Sequence, residues 1–154
     1  MAKSIKLTNN TYLDINSINQ DFILASLGGS GSLTMTGYSQ LQLISVLQKG
    51  HIFSISDGMI KVNKSGYYEI SGQFHFQTVV DEKTRWLEIR NQKDTPLSMT
   101  ISTISNRGTI TASSTVAYLN SGDMIMVKLD CSNGDTVRRD YQYSWLYVKR
   151  MPNN

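Results

Sequence analysis

The stretch Gly66–Gln77, GYYEISGQFHFQ, alternates in period two with almost no exception. Tyr68, Ile70, Phe74 and Phe76 fall on one side with Gly72 between them, and Tyr67, Glu69, Ser71, Gln73, His75 and Gln77 on the other. That spacing fits a β-strand with one face in an apolar interior and no α-helix, whose faces repeat every 3.6 residues. A strand this long needs a sheet to hold it, so the rest of the chain has to supply partners. It does so in short alternating runs separated by turn residues. Asp57-Gly58 divides HIFSIS from MIKVN, a two-residue hairpin signal. Asn106-Arg107-Gly108, Ser121-Gly122 and Asn133-Gly134 punctuate the later runs. Strands are expected near residues 41–47, 51–56, 59–63, 66–77, 84–91, 97–105, 109–119, 123–131 and 141–150. Nine strands at this spacing predict an all-β antiparallel sandwich or barrel.

Residues 1–32 read differently and are expected to form a separate arm or neck, with 33–154 as the main domain. Asn16 or Ser17 would cap a short helix in which Ile15, Ile18, Phe22 and Ala25 follow three-four spacing, broken by Gly28–Ser32. The Gly-rich run LGGSGS lacks the lysine of a phosphate loop and reads as a linker.

Composition narrows the function. Only 18% of residues are charged, and the net charge of +3 is scattered, with Arg138-Arg139 and Lys149-Arg150 the adjacent basic pairs. Neither a nucleic-acid nor a membrane partner is expected from so diffuse a surplus. The opening residues hold no apolar core of a signal peptide, and no run approaches the length that spans a bilayer. Cys131 is the sole cysteine and is read as a buried, reduced hydrophobe. His51 and His75, each placed on a strand, have no metal-ligand spacing. Asp130, Asn133 and Asp135 offer oxygen to a calcium ion but lack the order of a calcium loop and read as a turn, so no cofactor is expected.

The last run, YQYSWLYVKR, puts Tyr141, Tyr143, Trp145 and Tyr147 on one phase and Leu146 and Val148 on the other. One sheet face cannot bury both sets. Four half-covered aromatic side chains would display roughly 300–500 Å², near the upper limit for a soluble monomer. Met124 and Met126, alternating with Ile125 and Val127, make a second strand apolar on both sides. The sequence therefore predicts self-association.

KVNKSGYYEISGQFHF resembles the strand of the C1q and tumour-necrosis-factor-like jelly roll that opens Gly-aromatic-Tyr after a turn. STVAYLNSGDMIMVKL is similar to that family's L-x-x-G-D-x-V-x-L signature, with Leu119, Gly122, Asp123, Ile125, Val127 and Leu129 in the matching places, and YSWLYVKR occupies the position of the closing strand. The resemblance spans about residues 41–150 and implies a homotrimeric jelly-roll β-sandwich, with Tyr67, His75, Met124, Met126, Tyr143, Trp145 and Tyr147 as candidates for the trimer interface. The opening MAKSIKLTNNTYLDINSI resembles leaders of structural proteins from tailed phages of Gram-positive bacteria. Together these imply a virion protein, attached to other virion proteins through its arm, that meets a host cell-wall saccharide. Loops at 78–84, 91–97, 104–109 and 131–141 would carry the contact, through Arg85, Trp86, Arg107, Arg138 and Tyr141. A capsid or baseplate decoration without adhesive activity is the alternative, and a wall-polymer hydrolase using Cys131 with His51 or His75 is a third.

Overall fold

A computed structural model describes residues 4–8, 11–14, 20–78, 84–102 and 108–152. Every regular element among them is a strand. They are β1 (Ser4–Thr8), β2 (Thr11–Asp14), β3 (Phe22–Ser26), β4 (Ser32–Thr34), β5 (Ser39–Gln40), β6 (Ile44–Lys49), β7 (Phe53–Ser56) and β8 (Met59–Val62). Then follow β9 (Gly66–Thr78), β10 (Arg85–Asn91), β11 (Pro96–Ser102), β12 (Thr109–Leu119), β13 (Met124–Asp130), β14 (Thr136–Arg138) and β15 (Trp145–Arg150). Among the described residues β1 and β2 pair only with each other, as a small antiparallel ribbon.

The remaining strands form two packed sheets. The smaller runs β11-β10-β13-β8-β7, with β5 also paired to β13. The larger is built on β9, which carries β12 along one edge and β15 along the other, β3 and β6 following outward. The chain crosses between the sheets at each step from β8 to β9 to β10, and from β11 to β12 to β13 to β14, the wrapping of a jelly roll.

The alternation of β9 decides which side is filled. Tyr68, Ile70, Phe74 and Phe76 are buried against Leu87 and Ile89 of β10, Ile125, Val127 and Leu129 of β13, and Leu146 and Val148 of β15 in one continuous core. Gly72 lies in the same row, and a Cβ there would sit 3.2 Å from Leu146 Cδ1, so the leucine has taken the space of the absent side chain. Asp57 and Gly58 turn the β7–β8 hairpin with φ of 52° and 71°, as the two-residue loop requires.

Two expectations are corrected here. Phe22 and Ala25, assigned to a helix, lie in β3, whose five residues are all buried. β3 pairs with both β15 and β6, and β4 pairs with β14, so residues 22–34 supply strands to the sandwich. The other members of the expected helix, Ile15 to Ile18, fall outside the described residues. The closing strand expected at 141–150 is shorter: regular pairing begins at Trp145, and Thr136–Arg138, in the expected 131–141 loop, pairs with the far end of β9. Between them Asp140 O accepts the amides of Tyr143 and Ser144. Ser144 is buried, its hydroxyl accepts the His75 amide at 3.1 Å, and its carbonyl accepts Ser26 Oγ at 2.7 Å. Side chain and turn thus replace the ladder, and Tyr141 and Tyr143 do not share the strand phase of Trp145 and Tyr147.

Candidate functional site

The outward face of the larger sheet is a grid fixed by register. Tyr118 stands opposite Tyr67, Val116 opposite Glu69, Ser114 opposite Ser71, Ala112 opposite Gln73, and Ile110 opposite His75. On the other edge of β9, Trp145, Tyr147 and Lys149 stand opposite Gln73, Ser71 and Glu69. Lys149 pairs with Glu69 at 2.7 Å, and the Tyr67 and Tyr118 rings meet edge to face with centroids 5.2 Å apart. The grid is not covered at its β12 side: Tyr67 is 59% exposed, Val116 56%, Ile110 55% and Tyr118 54%. Met99 and Ile101 of β11 are half-exposed as well, but they stand opposite Glu88 and Trp86 on the outward face of the smaller sheet. The four side chains of the grid display roughly 300–400 Å² of apolar surface, within the range of the largest patch a soluble monomer ordinarily carries. A cleft of about 570 Å³ opens beside the tyrosine pair, bounded by Ser65, Met151 and Pro152. The outward face of the smaller sheet is unlike it, with Glu88, Arg90, Asp94 and Lys128 joined in ion pairs that satisfy one another.

At the far end of the grid His75 and Tyr143 rings lie 5.6 Å apart, and the Arg138 guanidinium stacks 3.8 Å above the Tyr143 ring while pairing with Asp140 at 3.3 Å. His75 Nδ1 and Asp140 Oδ1 are both buried without a hydrogen-bond partner. Burial holds the His75 imidazole below its usual pKa, and repulsion from Arg138 adds to this against the attraction of Asp140. A histidine depressed in the folded state binds its proton more tightly when unfolded, so the folded protein loses stability as pH falls through the ordinary histidine range near 6.5. Denaturation midpoints should therefore fall between pH 7.5 and about 5.5, and the slope should flatten in His75→Gln.

No protein-family model matches the sequence, and no curated protein matches it. Solved structures do. Murine APRIL at pH 5.0 superposes with a TM-score of 0.73 at 17% identity, covering 86% of this chain and 100% of that one. Murine APRIL at pH 8.0 gives 0.70 at 16% identity over the same shares. Eiger TNF from S. frugiperda gives 0.67 at 9% identity, covering 88% and 96%. The chain has the tumour-necrosis-factor-like jelly-roll fold. Likeness at such low identity speaks for the fold, and the chemistry has to be read from the residues.

In this TNF-like jelly roll the four expected ligand contacts among the described residues do not converge. Arg85 is in the core, 0% exposed beside Asp135 at 1%, with two parallel hydrogen bonds of 3.0 Å between them and Phe76 beneath the guanidinium at 4.7 Å. It lies in phase with the inward Leu87 and Ile89, so it is a core residue and not a surface contact. The same pair takes both Asp135 oxygens, which leaves the supposed calcium set of Asp130, Asn133 and Asp135 without its central carboxylate. Trp86 is half-buried on the smaller sheet, its indole donating to Thr84 Oγ1 at 3.2 Å. Arg138 and Tyr141 sit at the Asp140 turn, and Arg107 falls outside the described residues.

Of the interface candidates, Tyr67, His75, Trp145 and Tyr147 share the grid, with Tyr143 at its end. Met124 and Met126 do not: they lie on β13 in the smaller sheet, and Met126 is already buried within the chain. Ile110, Val116 and Tyr118 were missed. The signal was present in TITASSTVAYL, where Val116 and Tyr118 are apolar on one phase and Ala117 and Leu119 on the other.

The jelly roll gives the Cys131 nucleophile no support. The thiol is buried, and burial first, then the nearby Asp135 charge, push its pKa up to about 12 against the opposing pull of Arg85. His51 lies exposed in the bend after β6 and not on a strand. A thiol reagent such as Ellman's should leave the folded protein unmodified at pH 8 and titrate one thiol after denaturation; rapid reaction in the native state would contradict this assignment.

Proposed function

We propose that the chain acts as a homotrimer, a non-enzymatic receptor-binding module of a phage particle that recognises a saccharide of the host cell wall. The observation that carries the reading is the uncovered apolar grid centred on Tyr67 and Tyr118. A surface of that size on one sheet, next to a self-satisfied charged face on the other, calls for copies of the same chain to cover it. The threefold count and the viral setting come from the resemblances of the sequence. Three equivalent recognition surfaces on a common axis would turn weak contacts with a repeating polymer into firm retention, because each bound surface raises the effective concentration of the others.

The β1–β2 ribbon favours a second reading. It forms a sheet of its own, as an attachment element for a neighbouring virion protein would. The chain would then be a capsid or baseplate decoration that binds no receptor. Sedimentation of the protein with purified cell walls from a panel of Gram-positive bacteria separates the two. The adhesive reading expects saturable retention on at least one wall preparation, reduced by its soluble saccharide. Absence of retention on every preparation would favour the decoration.

A further inference from the structure

Where β3 leaves the larger sheet, the chain folds back on itself and encloses a half-open cleft of about 280 Å³. Its floor is apolar and buried, from Leu27, Met35 and Leu41. Thr34 and Ser39 supply hydroxyls, and among the described residues lining the cleft the one charge is Arg139. The neighbouring Arg138 spends its guanidinium on Tyr143 and Asp140. No carboxylate among the described residues is placed to do the same for Arg139.

The position of Arg139 is nevertheless built with care. Its amide donates to Gly31 O at 3.0 Å, and its carbonyl accepts Ser26 Oγ at 2.9 Å. The loop beside it turns on Gly28, Gly29 and Gly31, all at positive φ. A Cβ on Gly29 would stand 3.6 Å from the centre of the guanidinium, so the loop backbone runs alongside that group. Met35, on the floor, is tied by its amide to Asp135 O at 2.7 Å, and Leu41 by its amide to Val127 O at 2.9 Å. The run that reads as a linker thus folds against the Arg139 guanidinium, and its first residue, Leu27, lines the cleft.

We propose that this cleft is a binding site for a compact anionic group, a phosphate monoester or a carboxylate on a ring-sized body, with Arg139 as the recognition residue. An unpaired guanidinium is a planar fork that donates to two oxygens at once, and an anion shared with hydroxyl donors over an apolar floor is what such a fork selects. The volume lies at the small end of ligand sites and suits one ring-sized unit. The proposal names a site for the recognition suggested above, and its chemistry does not depend on the trimer.

The test is titration of the intact, isotope-labelled protein with sn-glycerol 3-phosphate, D-glucuronate and, as neutral controls, glycerol and methyl glucoside, followed by amide NMR. Saturable shifts at Gly29, Gly31, Thr36 and Arg139 with either anion, absent with the neutral compounds, support the site; the anion that responds assigns it to phosphate or carboxylate. Arg139→Gln should weaken that binding at least about ten-fold with its unfolding midpoint unchanged, and Lys93→Gln, which removes one cation elsewhere, should leave it intact. No saturable shift with either anion overturns the site, as does undiminished binding by Arg139→Gln. Wall retention that persists unchanged in Arg139→Gln would overturn the cleft while leaving the adhesive reading standing.

Discussion

Asp135→Ala is expected to lower the unfolding free energy by about 3–5 kcal/mol. Asp135 and Arg85 are both fully enclosed, and the two parallel hydrogen bonds between them are the means by which the guanidinium tolerates leaving water. Removing the acid leaves a cation above the Phe76 ring in a medium that solvates it poorly. The cost therefore far exceeds that of the small cavity. A sharper form of the prediction uses the double variant Arg85→Met with Asp135→Ala. With both charges gone the penalty of an uncompensated ion disappears, and the double variant should recover most of the loss. Urea denaturation at one fixed protein concentration checks both, since an oligomer's midpoint moves with concentration. A double variant as unstable as Asp135→Ala would mean that the loss comes from packing and not from the buried charge.

Tyr118→Glu is expected to release single subunits from the proposed trimer without unfolding them. Tyr118 packs edge to face on Tyr67 and is more than half exposed in the isolated chain, so the sandwich loses little by its removal. The proposed trimer would lose much more. Covering roughly 300–400 Å² per subunit contributes about 8–10 kcal/mol at ~25 cal/mol per Å², against association costs of about 4–15 kcal/mol. The surplus is at most a few kcal/mol, and one carboxylate forced into the contact exceeds it. Circular dichroism should show the β-spectrum of the parent, while light scattering gives a monomer. Ser114→Glu, in the same row phase but beside polar Ser71, should have the weaker effect.

The fold was legible where alternation is strict. β9 reads directly from its residues, and the Asp57-Gly58 turn and the two-phase logic of β12 are present in the sequence. β3 was not legible, because FILAS is buried on both faces, and a continuous apolar run has no period to tell strand from helix. The closing run misled for the opposite reason: YQYSW alternates, but Asp140 and Ser144 insert a turn whose hydrogen bonds involve Ser26 and His75, partners over a hundred and about seventy residues away in sequence. Arg85 stood in the inward phase of β10, which was readable; its partner fifty positions on was not. The Arg139 cleft escaped notice because no local pattern marks a site assembled from the ends of β3, β4, β5 and β14.

Sedimentation equilibrium of the unmodified chain at micromolar concentration tests the central claim, that the uncovered grid of the larger sheet is closed by copies of itself. The predicted result is a single species of about 52 kDa, three times the 17.3 kDa chain. A homogeneous 17.3 kDa particle across that range would contradict it.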